Sequence, residues 1–424
     1  MIKRLIKNEI KNRKLLSAST VIFMAVSSML IVLSLTLFTK LIGSVNNLME
    51  LAETPDYLQM HSGEINEEDL KYFAEKRTDI KTWQISKFLN LDNNMIYLGD
   101  ENLAGNTQDN GLCVQSDRFD FLTDMDNRLP NVSPGQVYVP VCYRRLYNLN
   151  TGDFMTIGNE KLVIAGFIRD SQMNSMMASS KRFLVCEEDY GSFLPHGSEE
   201  YLIEYRLAEN TDLDAFASAY NEAELPANGP AITRSLIRLM NALSDGIMIF
   251  VIFLVGIAVL LISLLCIGYI TSLGVERDRK EAGLLKALGI NRKQIRRIYL
   301  SKYLLFSIVG GGVGLMLAFL LIKPLGQSLR ELYGASKNEA LTVVTATLIS
   351  VLIQMMIILF IRRIIKRNEN ISVIEALFRN RTSERKTGQM AIIALVTALC
   401  AMLSLIPQNL YTTLAAPDFV SYMG

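Results

Sequence analysis

Five stretches without a charged residue, each long enough to cross a bilayer as a helix, constrain this chain more than any other feature. They run Leu15–Thr39, Gly246–Val275, Tyr303–Ile322, Ala340–Ile361 and Met390–Pro417. A helix crosses a hydrocarbon core of about 30 Å with about 20 residues, because each residue rises about 1.5 Å and lipid offers no partner to a free peptide group. A soluble core able to hide five such runs would be very large. Hydrophobic residues make up 50% of the chain and the mean hydropathy is +0.25, too apolar for a soluble protein of this size and too charged for a bare membrane bundle. The first run follows basic residues, as a signal peptide would. Its uncharged length exceeds a signal h-region, and Thr39-Lys40-Leu41 offers no small-residue cleavage site, so it reads as a retained anchor.

Net charge is only +1, but the charges are segregated. The first 14 residues hold six Lys or Arg against one Glu, Glu276–Lys302 holds nine basic against three acidic residues, and Arg362–Lys386 holds eight against three. Leu41–Ser244 carries 16 basic and 31 acidic residues, a net of −15. Basic flanks stay on the cytoplasmic side, so the N-terminus is expected inside, in a multi-pass protein of the plasma membrane. The reading divides the chain into a cytoplasmic segment 1–14, a first span within 15–44, an extracytoplasmic domain 45–240 and a second span 246–275. A cytoplasmic segment 276–302, a third span 303–322, a short outer loop 323–339 and a fourth span 340–361 follow, then a basic segment 362–389, a fifth span 390–409 and an outer tail 410–424. Ile2, Leu5, Ile6 and Ile10 stand at helical spacing in the first segment, which reads either as an amphipathic helix on membrane lipid or as a plain basic flank.

The fold class expected is therefore an all-α membrane bundle of about five helices with an inserted α+β domain. In that domain Glu64–Lys76 reads as a helix with Asn66 as N-cap, and a second helix covers about Asp212–Ala223. Gln136–Tyr143, Phe154–Ile157, Lys161–Ile168, Arg182–Cys186 and Tyr201–Leu207 read as strands, with a hairpin at Gly158-Asn159. Three Cys in the domain allow at most one internal bridge. No CxxC or HxxxH spacing points to a metal, nothing joins a nucleophile to a base, and Ser171 and Ser175 have no His nearer than the isolated His196. The acidic surplus reads either as solubility or as attraction for a cationic ligand.

The most patterned stretch is ERDRKEAGLLKALGINRKQIRRIYLSK, Glu276–Lys302. It reads as two helices: Arg279–Leu288 with Leu284, Leu285 and Leu288 on one face, a stop at Gly289, and a restart at Asn291 with Gln294 completing a capping box. Taken alone it is either a force-transmitting element between spans or a basic loop on anionic lipid. Gly310-Gly-Gly-Val-Gly314 lies inside an apolar run, so its spacing fits close helix packing through Gly310 and Gly314. No G-x-x-x-x-G-K-[S/T] occurs, so the chain has no P-loop for nucleotide phosphates. No span carries a mid-membrane charge that would mark an ion path.

Here the sequence resembles the FtsX-like or MacB-type permeases of type VII ABC transporters. Arg277, Glu281, Leu285, Lys286, Ala287, Leu288 and Gly289 match the family's loop signature, Gly152-Asp153-Phe154 with KLVIAGFIRD resembles its hairpin, and ISVIEALFRN its short segment after the fourth span, with Val373 where Pro is frequent. Lys302 stands where many relatives carry an acid. The resemblance implies that the chain is not itself an enzyme and binds no cofactor directly. A cytoplasmic ABC ATPase dimer would supply ATP-Mg chemistry, docking at Arg277, Arg279, Glu281, Leu284, Leu285, Lys286, Ala287, Leu288 and Gly289. A second permease copy or second half is the further expected partner, since the fifth span makes the chain look like one half of a longer permease, and no nucleic acid is implied. The resemblance implies export, extraction or sensing of a peptide, lipid or antimicrobial by mechanotransmission, or else control of a cell-wall hydrolase or sensor kinase without translocation.

Overall fold

The computed structural model describes residues 14–277, 283–284, 289–337 and 339–368. Residues 1–13, most of the 278–288 loop and the expected fifth span at 390–409 lie outside the described residues. The chain forms two compact units. One contains the described residues up to Thr39, Ile247–Leu325 and those beyond Asn338, and the other contains Lys40–Gly246 and Gly326–Lys337.

Among the described residues four helices are long and apolar enough to cross a membrane: α1 (Lys14–Leu51), α6 (Arg234–Arg277), α7 (Arg292–Tyr333) and α8 (Glu339–Asn368). The first three have 38, 44 and 42 residues, so they measure about 57, 66 and 63 Å, roughly twice the thickness of a hydrocarbon core. Apolar length registers only the part that meets lipid. Helix continues past it wherever apolar spacing persists, as Leu236, Ile237 and Met240 do before the second apolar run. Residues 323–333, expected as loop, are accordingly the last turns of α7, and the second loop helix expected after Gly289 is its first turns. Asn291 caps that start: its Oδ1 accepts from the Lys293 N–H at 3.3 Å, and the Gln294 side chain accepts from its own N–H at 3.3 Å. Pro324 sits inside α7, and Gly334, at φ +80°, ends it.

Within the helical unit, α1 and α7 approach closely. A Cβ on Gly310 would lie 2.8 Å from the Met24 Cβ, and one on Gly314 would lie 2.5 Å from the Ala25 carbonyl oxygen. Polar side chains tie the bundle elsewhere. The Ser28 and Ser350 hydroxyls are 3.1 Å apart, Ser307 donates to Gln354 Oε1 at 2.9 Å, and Ser263 donates to the Phe23 carbonyl at 3.2 Å.

The other unit is an α+β domain on one mixed sheet. Its strands are β1 (Tyr57–Ser62), β2 (Ile80–Leu91), β3 (Ile96–Leu98), β4 (Glu101–Asn102), β5 (Asp109–Cys113), β6 (Gln136–Pro140), β7 (Phe154–Ile157), β8 (Glu160–Ile168), β9 (Ser180–Leu184), β10 (Gly197–Leu207) and β11 (Ala231–Thr233). They lie in the order β11-β1-β10-β2-β5-β9-β6-β8-β7-β3-β4, with β5/β9 and β6/β8 parallel and the other pairs antiparallel. Helices α2 (Glu67–Lys76), α3 (Val141–Leu146), α4 (Glu187–Phe193) and α5 (Leu213–Glu222) pack on it. Leu70 and Ala74 of α2 and Phe216 and Tyr220 of α5 share a core with Tyr57, Ile203 and Tyr205. A larger core gathers Leu89, Leu112, Val139, Phe183 and Phe193.

Asn66 and Asp212 cap α2 and α5 through their side chains, and Gly158, at φ +61°, opens the two-residue hairpin between β7 and β8. The stretch Gln136–Tyr143 departs from expectation. It is a strand only to Pro140, whose missing N–H ends the ladder and whose φ of −50° starts α3. Cys113, Cys142 and Cys186 form no disulfide, and burial pushes Cys113 up to about 12, which makes it unreactive.

Candidate functional site: a loop that holds three helix ends

Strand β8 runs directly into Arg169-Asp170-Ser171-Gln172-Met173-Asn174-Ser175, a segment in which all seven side chains are buried. Its front faces helix ends belonging to the same unit. The Arg169 guanidinium donates from Nε to the Glu331 carbonyl at 2.9 Å and from Nη2 to the Arg330 carbonyl at 3.2 Å, both in the last turn of α7. Asn174 Nδ2 donates to the next carbonyl, Leu332, at 2.7 Å. A helix leaves its last four carbonyls without partners, and they carry the negative end of its dipole, so a cation with forked donors suits the position. Burial lowers the Arg169 pKa, while Asp124 and Asp126 act the other way. The same guanidinium reaches the Met125 carbonyl at 3.0 Å and Asn127 Oδ1 at 2.8 Å.

The start of α6 and the end of α1 meet the same segment. Ser175 donates to the Met240 carbonyl at 3.1 Å, Asn241 Nδ2 donates to the Ser171 carbonyl at 2.7 Å, and Tyr333 of α7 donates to the Asn241 carbonyl at 3.0 Å. Thr54, just beyond α1, places its hydroxyl 2.7 Å from that of Ser171 and 3.0 Å from the Met49 carbonyl. At the exposed margin Arg145 pairs with Glu331 at 2.6 Å and Lys337 with Glu50 at 2.6 Å; pairs so exposed add little.

The segment is held from behind by buried charge. Arg182 of β9 grips Asp170 with two bonds of 2.7 Å and reaches Asp120 at 2.6 Å. Asp170 in turn accepts the Gln172 and Met173 N–H groups at 2.8 and 3.0 Å. Lys181, fully buried, donates to the Met173 and Ser175 carbonyls at 2.8 and 2.7 Å. Burial raises the Asp170 pKa, but the charge and hydrogen bonds of Arg182 outweigh it and hold the carboxyl below its ordinary value. Glu204 of β10 behaves oppositely. Burial, joined by the Asp120 carboxylate, pushes it well above the usual range despite Arg182 and the amides of Gln84 and Gln172. Gln172 Nε2 donates to Glu204 Oε1 at 2.6 Å and Gln84 Nε2 to Glu204 Oε2 at 2.7 Å.

Seven residues thus connect three helix ends to the middle of the sheet with almost no slack. Sequence reasoning took Arg169 and Asp170 only as the end of the KLVIAGFIRD resemblance and weighed Ser171 and Ser175 only as nucleophiles. The available signal was an Arg-Asp pair continuing an apolar strand without a turn. Of the loop residues singled out in sequence, Arg277 closes α6, Leu284 is 59% exposed, and Gly289, at φ +83° with open space around it, makes the turn. Arg279, Glu281, Leu285, Lys286, Ala287 and Leu288 lie outside the described residues. Gly310 and Gly314 are the close approaches to α1.

Long apolar helices interrupted by an α+β domain that takes hold of their ends define a class: multi-span membrane proteins with an inserted domain. Over residues 253–369 the chain matches the model of the family described as FtsX-like permease C-terminal, a stretch that contains the patterned loop, α7 and α8. A comparison with curated proteins found no match. Among solved structures the periplasmic region of MacB from Actinobacillus actinomycetemcomitans is similar at 11% identity, over 46% of this chain and 96% of that one, with a TM-score of 0.27. At that score the likeness carries no argument.

Proposed function

We propose that this chain is the transmembrane permease subunit of an ABC transporter, driven by a separate cytoplasmic ATPase dimer and transmitting its motion to the inserted domain outside the cell. The observation that carries the reading is the family match over residues 253–369, joined to the course of α7. That helix begins at the capping box inside the patterned stretch and ends with its last carbonyls in the grip of Arg169 and Asn174. Pro324 removes one hydrogen bond of the ladder without ending the helix, so in this reading a displacement of the first turns travels along α7 with its weak point there. ATP-bound partners that bind one arrangement of the loop more tightly shift the population of the helices, and the 169–175 segment passes that shift to the sheet. The basic flanks support a cytoplasmic N-terminus and a plasma-membrane location. Export, extraction or sensing of a peptide, lipid or antimicrobial is the work this motion suits, in partnership with a second copy or second half.

Purification of the full chain from its native membrane in mild detergent tests the reading. An ABC-type ATPase should co-purify, and Leu285→Asp or Gly289→Pro should release it while leaving the chain folded. If no ATPase associates and both variants retain function in cells, the reading is wrong.

A further inference from the structure

Strand β2 is twelve residues long and pairs with β10 over its whole length, yet β5 covers only Leu89–Leu91 of its other side. The direction of its backbone groups is fixed by its ends. A Cβ on Gly197 of β10 would strike the Asn90 carbonyl oxygen at 2.4 Å, and one on Gly111 of β5 would strike the Leu89 carbonyl oxygen at 2.5 Å. From Thr82 to Leu91, beyond the register shift at Ile80–Thr82, even-numbered residues therefore bond toward β10 and odd-numbered ones away from it. The Trp83 carbonyl agrees, accepting from Arg118 Nη1 at 3.0 Å. The N–H and C=O of Ile85 and Lys87 point the same way, and no partner meets them among the described residues. This open edge lies in a cleft of about 1040 Å³ between α2, α4 and residues 114–118.

The cleft is strongly acidic. Six carboxylates line it against three cations, Lys71, Lys87 and Arg118. Lys71 is engaged by Glu75 at 3.9 Å and Lys87 by Glu199 at 3.4 Å. Glu67, Glu68, Asp117 and Glu187 form no ion pair among the described residues. Half-buried Trp83 and Ile85 form an apolar floor.

We infer that this cleft binds an extended cationic peptide, which adds as a strand to the open edge of β2 at Trp83–Lys87. Main-chain bonds to Ile85 and Lys87 give affinity without regard to sequence, and side-chain alternation gives selectivity. One row of peptide side chains lies over Trp83 and Ile85, where lysine or arginine meets the carboxylates of α2 and α4 and the indole face. The inference deepens the transporter reading by naming the substrate class, and rests on it only for the movement of the bound peptide.

Trp83 is the only tryptophan in the chain, so its emission reports on the cleft alone. The test titrates the full chain, in a neutral maltoside detergent without nucleotide or partner, with an eight-residue peptide alternating Lys and Val. A saturable change in Trp83 emission is expected. N-methylation of four central peptide amides keeps the charge and removes the donors, and should weaken binding at least tenfold. Glu68→Gln with Glu187→Gln should weaken it about fivefold, whereas Glu160→Gln with Glu222→Gln, the same charge change elsewhere on the domain, should leave it unaltered. No saturable response, equal binding of the methylated peptide, or equal effects of the two carboxylate pairs overturns the inference. A chain that binds the peptide but recruits no ATPase refutes the transporter reading alone.

Discussion

Replacing Arg169 by alanine tests whether the 169–175 segment holds α7 as its geometry says. Three of the guanidinium's bonds are short and well placed, to Asn127 Oδ1 at 2.8 Å, the Glu331 carbonyl at 2.9 Å and the Met125 carbonyl at 3.0 Å. At about 1.5 kcal/mol each, the low end for bonds to a charged group, they contribute roughly 4–5 kcal/mol. Burial of the charge, visible in the lowered Arg169 pKa, takes back part of this, leaving about 3 kcal/mol for the local structure. That corresponds to roughly a hundredfold change in local opening. Hydrogen exchange of the full chain reads it directly, because the Gly334 N–H bonds to the Arg330 carbonyl that Arg169 also reaches. Protection at Gly334 and across Glu331–Tyr333 should fall by about that factor in Arg169→Ala, while α2 keeps its protection. Arg169→Lys should recover only part, since a point charge cannot fork between two carbonyls. A change at Gly334 below threefold, or an equal loss in α2, would show that the segment touches α7 without holding it.

Glu204→Gln should stabilise the domain at pH 7 and do little near pH 4. A carboxyl whose pKa is raised by folding holds its proton in the folded state and loses it more readily in the unfolded one. The cost of burying Glu204 therefore appears as pH rises above the ordinary carboxylate value and grows until the folded pKa is reached. Thermal melts of wild type and variant across pH 4–8 should converge at the acid end; parallel curves would mean that Glu204 is charged in the fold. In the bundle, Gly314→Ala places a methyl 2.5 Å from the Ala25 carbonyl oxygen, whereas Gly312 has nothing within 4 Å. The first substitution should cost about 1–3 kcal/mol through overpacking and the second should be neutral, as a melt of the detergent-solubilised chain would report. Equal melting temperatures would remove the α1–α7 approach.

Local signals carried the elements that depend on local chemistry. Asn66 and Asp212 announce α2 and α5 because a cap is decided within three residues, and Gly158-Asn159 announces its hairpin for the same reason. β1 went unread because both its faces are covered, and β2 because its apolar residues change face between Ile85 and Phe88. Tyr57 enters one core and Leu58 another, and the sequence IKTWQISKFLNL shows no clean alternation. The full lengths of α1, α6 and α7 were hidden because hydropathy reports contact with lipid and not continuity of the helix. The helix-holding segment was least legible of all, since its meaning depends on carbonyls of residues 330–332, some 160 positions away.

Gly334 gives the grip on α7 a property beyond strength. The three carbonyls of Arg330, Glu331 and Leu332 point in directions separated by about 100° around the helix axis, and Arg169 and Asn174 reach them together only at one angular phase. Gly334 keeps the approach open, since a Cβ there would stand 3.3 Å from Asn127 Oδ1 and 3.6 Å from Arg169 Nη1. The hold therefore depends on the azimuth of the last turn of α7 as well as on its height. A single residue inserted between Gly326 and Arg330 would turn those carbonyls by about 100° while advancing them about 1.5 Å, so it would disengage them far more by rotation than by translation. In the transporter proposed above, the twist of this helix, and not only its thrust, would be a signal to the domain.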